Sequence, residues 1–171
     1  MTKTTQKIKA GVLGASGYTG AEAMRLLLRH PNVEMTLLTA DRKAGQPLED
    51  VYPHLGGYGL PDMVGVEEAD WSAVDAVFCG LPHGTTQEII AGLPSSVKVI
   101  DLSADFRIED PATYEQWYGH PHQALDLQKD AVYGLTELNR EKIAGSRLVA
   151  CPGCYPTAVL LALVPLVGAG L

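Results

Sequence analysis

Cys151 and Cys154 stand with two residues between them in the stretch CPGCYPTAVLLALVPL. Three chemistries use that spacing: half of a metal site, a redox pair, or one nucleophile with a neighbour. Structural zinc takes four ligands, commonly from two such pairs. The third cysteine, Cys79, lies inside an apolar run (DAVFCG), and nothing in the spacing of His120 and His122 requires a metal, so no metal site is expected. A thioredoxin-like pair follows the first strand of a small βαβ unit, whereas this one comes late, after a complete nucleotide-binding pattern. The residues favour a single thiolate at Cys154. A helical pattern opens there, with Pro156 near its first turn, and the positive potential at a helix N-terminus stabilises a thiolate. Gly153 removes side-chain bulk beside the sulfur. A buried structural cysteine is the competing reading.

The second motif, GASGYTG, places Gly14, Gly17 and Gly20 at three-residue intervals between a strand and a helix. In that context the first glycine makes a tight turn, the second lets a phosphate approach the backbone, and the third lets helix pack on sheet. Gly14, Ala15, Ser16, Gly17, Tyr18, Thr19 and Gly20 are therefore the expected pyrophosphate cradle of a dinucleotide; a packing turn without a ligand is the alternative. The signals on which dinucleotide conflict. Asp41 lies about 20 residues past the loop, where an acid bonds the ribose 2′-OH of NAD. Arg42 and Lys43 follow it, and two cations suit the 2′-phosphate of NADP. A hydride carrier beside a cysteine points to thioester chemistry, in which a thiolate takes an activated acyl group that is then reduced to an aldehyde.

Short apolar runs must position these groups. Strands are expected at Ile8–Gly14, Val33–Thr39, Asp75–Gly80, Val97–Ser103 and Arg147–Cys151. Helices are expected over Ala21–Pro31, where Met24, Leu27 and Leu28 share a face, from Thr85 after the turn LPHG, and from Cys154. Strands buried on both faces and separated by helices indicate a doubly wound α/β fold with a mainly parallel sheet. Asp41–Trp71 and Asp105–Gln128 are poorly periodic and read as surface excursions, the second carrying Phe106, Tyr114, Trp117 and Tyr118. The helix after Cys154 has almost no polar face and should be buried all round; left exposed, it is an association patch.

The net charge of −7 argues against nucleic-acid or anionic-membrane surfaces. The start of the chain shows no signal-peptide pattern and no apolar run is long enough to span a bilayer, so a cytoplasmic protein is expected.

The motifs GASGYTGAE, LPHG, DLSADFR, VYGLTELNR and PGCYPTA, in this order, resemble N-acetyl-γ-glutamyl-phosphate reductase, a relative of aspartate-semialdehyde dehydrogenase. The resemblance covers essentially the whole chain. It implies NADPH-dependent reduction of N-acetyl-glutamyl 5-phosphate to the 5-semialdehyde, in arginine biosynthesis, with Cys154 as nucleophile. It implies that Arg107 holds an anionic group of the substrate, that Ser103 shapes the same substrate loop, and that His83 lines the cofactor side. An ion pair of Arg107 with Asp105 or Glu109 is the competing reading. It implies NADP, with Arg42 the favoured phosphate partner, and a homo-oligomeric full-length enzyme about twice this length. On this reading residues 1–150 form the dinucleotide-binding domain, residues 151–171 open a catalytic domain, and the general acid/base lies outside the chain. Related acyl-phosphate reductases and a non-catalytic NADP-binding domain are the alternatives.

Overall fold

The computed structural model describes residues 6–171. Six parallel strands form one sheet in the order β2-β1-β3-β4-β6-β5. They are β1 (Ile8–Leu13), β2 (Val33–Leu38), β3 (Ala76–Cys79), β4 (Lys98–Asp101), β5 (Ala131–Tyr133) and β6 (Leu148–Ala150). The helices are α1 (Tyr18–Leu27), α2 (Thr86–Gly92), α3 (Pro111–Tyr118), α4 (Leu125–Asp130), α5 (Thr136–Gly145) and α6 (Cys154–Gly168). The doubly wound parallel sheet expected from the alternation of runs is thus present. The chain moves outward from β1 to β2, then returns to place β3 on the other side of β1. That reversal opens a crevice beyond the carboxyl ends of β1 and β3, where sheets of this kind bind ligands.

β5, α5 and the two helices α3 and α4, which lie in or at the end of the Asp105–Gln128 segment expected to be an excursion, were not among the expected elements. β5 is three residues long and its pairing with β6 supplies what its sequence lacks, with Tyr133 opposite Ala150. Helix α1 starts at Tyr18 rather than Ala21 and ends at Leu27, so Tyr18, Thr19 and Gly20 belong to its first turn and not to the preceding loop.

The two faces of the sheet are covered unequally. On one face Leu13, Val77, Cys79, Val99 and Leu148 pack with Ile90 of α2, with Leu93 just past its end, and with Phe106. On the other, Val12 and Leu38 pack with Met24 of α1 and with Leu48, Leu55 and Met63. The last three belong to the segment expected to be a surface excursion. They are buried to 2%, 3% and 0% exposure, and each such side chain contributes about 1.5–3 kcal/mol relative to leaving it in water. The segment is therefore a wall of the core, held by short 3-10 turns that give no apolar period to read. Phe106 and Tyr114 are likewise buried, while Trp117 stays exposed.

Beyond α1, over β3 and β4, that second face is open: Leu26, Leu27, Phe78, Ile100, Leu102 and Cys151 line an apolar groove. Helix α6 is also bare. None of its residues is buried, and Val159, Leu163 and Val167 are more than half exposed. The burial expected from its composition finds no partner within the described residues. No helix among them is long and apolar enough to cross a membrane.

Candidate functional site

The glycine loop forms at the sheet reversal. Gly14 has φ +78°, a left-handed conformation that disfavours a side chain, and a Cβ there would also meet the Gly80 carbonyl oxygen at 3.1 Å. The Gly14 and Ala15 amides donate to Thr39 Oγ1 and the Thr39 carbonyl at the end of β2. Tyr52, from the buried excursion, donates its hydroxyl to the Ser16 carbonyl at 2.9 Å. Gly20 is the tightest point: a Cβ would stand 2.5 Å from the Gly14 oxygen. Gly17 caps α1 without a side chain, and Gly17, Tyr18 and Thr19 are exposed. The first-turn amides of α1 have no intrahelical acceptor, which makes this end of the helix an anion site.

Beside the loop, Gly14, Thr39, Asp41, Leu81, Pro82 and Thr85 line an open cleft of about 700 Å³. A dinucleotide fits these features: a glycine cradle at a helix start, then a cleft that runs past the end of β2. Asp41 borders the cleft together with Glu67 and Glu68. Arg42 and Lys43 are exposed at its edge and pair with no carboxylate among the described residues.

The second half of the site is made by the loops that follow β4 and β6. Arg107 bridges them. Its Nε donates to the Cys151 carbonyl at 2.7 Å and its Nη2 to the Leu102 carbonyl at 2.9 Å. Its Nη1 lies 3.3 Å from where a Gly153 Cβ would be. Among the described residues it makes no ion pair with Asp105 or Glu109. Cys154 follows as the first residue of α6, exposed, with Gly153 as its cap. The Gly153 carbonyl is held from within the helix by the Thr157 amide and hydroxyl at 3.0 and 2.9 Å. Cys151 differs sharply from its neighbour. Burial, and then the neighbouring Asp101 carboxyl group, push its thiol up to about 11 against the opposing pull of Arg107. Cys79, deeper in the same region, is pushed up to about 12, first by burial and then by Asp101. Neither thiol ionises readily near neutral pH.

Between these halves lies a buried polar network that the sequence motifs did not announce. Asp101, at the end of β4, accepts from the Ser103 amide at 3.0 Å, and its other oxygen lies 2.7 Å from Ser103 Oγ. Ser103 Oγ lies 3.1 Å from Thr86 Oγ1, which in turn lies 2.5 Å from Asp105 Oδ2. Asp105 also accepts from the amides of Gly84 and Thr86, so it caps α2 from the β4 loop, and Oδ1 pairs with His83 Nδ1 at 2.5 Å. Asp101 and Asp105 are both fully buried. Burial raises Asp101, and the Ser103 hydrogen bonds do not offset it. For Asp105 burial is again the largest influence, but the Thr86 hydroxyl, the two amides and His83 outweigh it and hold the carboxyl below its ordinary value. Ser103 turns its hydroxyl into this network. His83 stacks within 4.2 Å of the Tyr118 ring, centre to centre. Thr86, Asp101 and Asp105 were missed because an acid or a hydroxyl in a loop carries no sign of burial; the alternation of acids with Ser103 in DLSAD was the available signal.

Residues 9–146 match the family described as "Semialdehyde dehydrogenase, NAD binding domain".

The chain belongs to this family of semialdehyde dehydrogenase NAD-binding domains.

Its similarity to individual members agrees with the resemblance carried by the motifs. It is 62% identical over 169 residues to the Arabidopsis thaliana protein named probable N-acetyl-gamma-glutamyl-phosphate reductase, chloroplastic, covering 99% of this chain and 42% of that protein. It is 58% identical to the N-acetyl-gamma-glutamyl-phosphate reductase of Rhodospirillum rubrum, covering 98% of this chain and 49% of that one. The chain thus spans about half the length of the curated relatives it matches. Among solved structures it shares the fold of aspartate semialdehyde dehydrogenase II from Vibrio cholerae, with TM-score 0.68, 24% identity and 96% of this chain and 47% of that one covered. It also shares the fold of aspartate semialdehyde dehydrogenase with NADP from Candida albicans, with TM-score 0.65, 21% identity and 96% and 48% covered. The semialdehyde dehydrogenase domain here therefore carries a nicotinamide-nucleotide fold with an exposed cysteine at the start of the helix that follows β6.

Proposed function

We propose that this chain is the cofactor-binding half of an NADPH-dependent reductase that converts N-acetyl-L-glutamyl 5-phosphate to N-acetyl-L-glutamate 5-semialdehyde and phosphate, in arginine biosynthesis. The observation that carries the reading is Cys154: exposed, first in a helix, and joined through the Cys151–Gly153 turn to Arg107. The names of relatives 55–62% identical support the substrate.

In this reading the Cys154 sulfur attacks the acyl carbon, the carbon–oxygen bond to phosphate breaks, and phosphate leaves with its electron pair, giving a thioester. NADPH, when bound, supplies the hydride that converts the thioester to aldehyde and returns the thiolate. Gly14 to Gly20 hold the pyrophosphate at the start of α1, and Arg42, with Lys43, takes the 2′-phosphate. Arg107 already spends two N–H groups on backbone carbonyls, so Nη1 is the group left to face a substrate anion. Ser103 shapes its loop from below, and His83 lines the adjoining turn. Residues 1–150 form the dinucleotide-binding domain and Cys151 opens the next. The whole enzyme is cytoplasmic, or plastid-housed as the Arabidopsis relative's name states, and assembles as a homo-oligomer through surfaces such as bare α6.

The test is Cys154→Ser in the full-length enzyme. It abolishes NADPH-dependent aldehyde formation and phosphate release while NADPH still binds. Near-normal turnover in that variant removes Cys154 from the chemistry.

A further inference from the structure

Three oxygen–oxygen contacts link Asp101 to Ser103, Ser103 to Thr86, and Thr86 to Asp105, at 2.7, 3.1 and 2.5 Å. Each needs one hydrogen. The two hydroxyls supply two. If both carboxyls were ionised, Ser103 and Thr86 would each give their hydrogen to a carboxylate, and the Ser103–Thr86 contact would hold only lone pairs. One further proton satisfies all three contacts, and it must come from a carboxyl group.

The donors around each carboxyl decide which one. Asp105 receives the Gly84 amide, the Thr86 amide and His83 Nδ1, spread over both oxygens. Those groups favour a carboxylate. Asp101 receives one amide, that of Ser103. Its other neighbours are the Cys79 thiol of β3, the Cys151 thiol after β6, the Asp105 carboxylate and the Arg107 cation, whose favourable pull is the weakest influence on it. Two of these four are thiols held neutral by burial, and the Asp105 charge disfavours a second anion.

We propose that Asp101 is a neutral carboxylic acid that donates to Ser103 Oγ, and that the chain Asp101–Ser103–Thr86–Asp105 is the positioning device for His83. Ser103 Oγ then accepts from Asp101 and from the Asp105 amide, which lies 3.1 Å away, and donates to Thr86. Thr86 donates to Asp105, and Asp105 accepts from His83. The three hydrogens run toward Asp105, which as a carboxylate can only accept, so the Nδ1–H of His83 is fixed toward it from the other end and the LPHG turn is tied to the DLSADFR loop. The buried network carries one negative charge in place of two. A site role for His83 rests on the reductase reading, but the charge state of Asp101 does not.

The test reads protonation, not turnover, and so fails or succeeds separately from the reductase assignment. Infrared difference spectra of the full-length protein at neutral pH, wild type minus Asp101→Asn, should contain the C=O stretch of a protonated carboxylic acid. In the same pair, the NMR titration of His83 should be unmoved, because Asn replaces a neutral acid and keeps a donor toward Ser103. A missing acid band, or a His83 titration that moves to lower pH when Asp101 is replaced, shows that a negative charge was removed and overturns the proposal. An acid band that survives Asp101→Asn and disappears in Asp105→Asn overturns it as well. Should Asp101→Asn fail to fold, Ser103→Ala serves: the wild-type band shifts in frequency when its acceptor is lost, and an unshifted band counts against Asp101.

Discussion

Arg107 Nε donates to the Cys151 carbonyl at 2.7 Å, three residues before the exposed sulfur of Cys154. The same guanidinium holds the Leu102 carbonyl at the start of the loop after β4. One side chain therefore sets the spacing between the loop after β4 and the turn into α6. The residue expected to hold an anion of the substrate is first a brace for the backbone turn that leads to Cys154.

Arg107→Ala removes two charged-donor hydrogen bonds, each contributing about 1.5–3 kcal/mol. The expected result is a fall in kcat through misplacement of Cys154 and a rise in KM through loss of Nη1. Arg107→Lys keeps the charge but cannot span both carbonyls, so it should recover KM more than kcat. Steady-state kinetics on both variants checks this; a change in KM alone would mean that the bracing bonds do not matter to the nucleophile.

Gly20→Ala forces a methyl group to within 2.5 Å of the Gly14 carbonyl. Backbone cannot yield there as a flexible side chain would, so a loss of about 1–3 kcal/mol is expected, with weaker NADPH binding as Gly14 shifts. Urea denaturation and cofactor titration measure the two effects. Gly17→Ala, whose Cβ would meet the same oxygen at an ordinary 3.4 Å, should lose cofactor affinity with little loss of stability.

Asp105 lies below its ordinary value of 3.8 in the folded protein. The unfolded chain thus binds a proton more readily, and the stability from this carboxylate is fully present above that value and disappears as pH falls through the lower, folded one. Thr86→Val removes the hydroxyl donor and raises the folded value toward the unfolded one. Its acid unfolding midpoint, followed by circular dichroism, should lie at higher pH than that of wild type. Coincident acid midpoints would show that the Thr86 hydroxyl does not stabilise the carboxylate.

Arg42→Ala should weaken NADPH binding by about tenfold or more, a charged contact of roughly 1.5–3 kcal/mol, and leave NADH binding nearly unchanged. Isothermal titration with both nucleotides measures this. Equal weakening of both would place Arg42 away from the 2′-phosphate; no weakening of either would leave Lys43 as the remaining cation at that edge.

By itself the sequence determined the alternation of strand and helix, the glycine loop and the helix that opens at Cys154. Each of these is local: short, mainly apolar strand runs, glycines at fixed offsets, a turn followed by a helical pattern. Strand β5 and helices α3, α4 and α5 escaped: β5 is three half-buried residues where the equally short β6 is fully buried, α3 and α4 span eight and six residues, and α5 is bent at Asn139, so none sustains a period. The segment holding Leu48, Leu55 and Met63 looked like a surface loop because its apolar residues are spaced by 3-10 turns and not by a regular face. Only the tertiary structure decided that Asp101, Ser103, Thr86 and Asp105 form one buried chain, that Arg107 braces Cys151, and that Cys151 and Cys154 live in different environments. Those relationships join residues brought together by parallel strand order, and side-chain hydrogen bonds to partners 17 to 44 positions away leave no mark in the spacing of either partner.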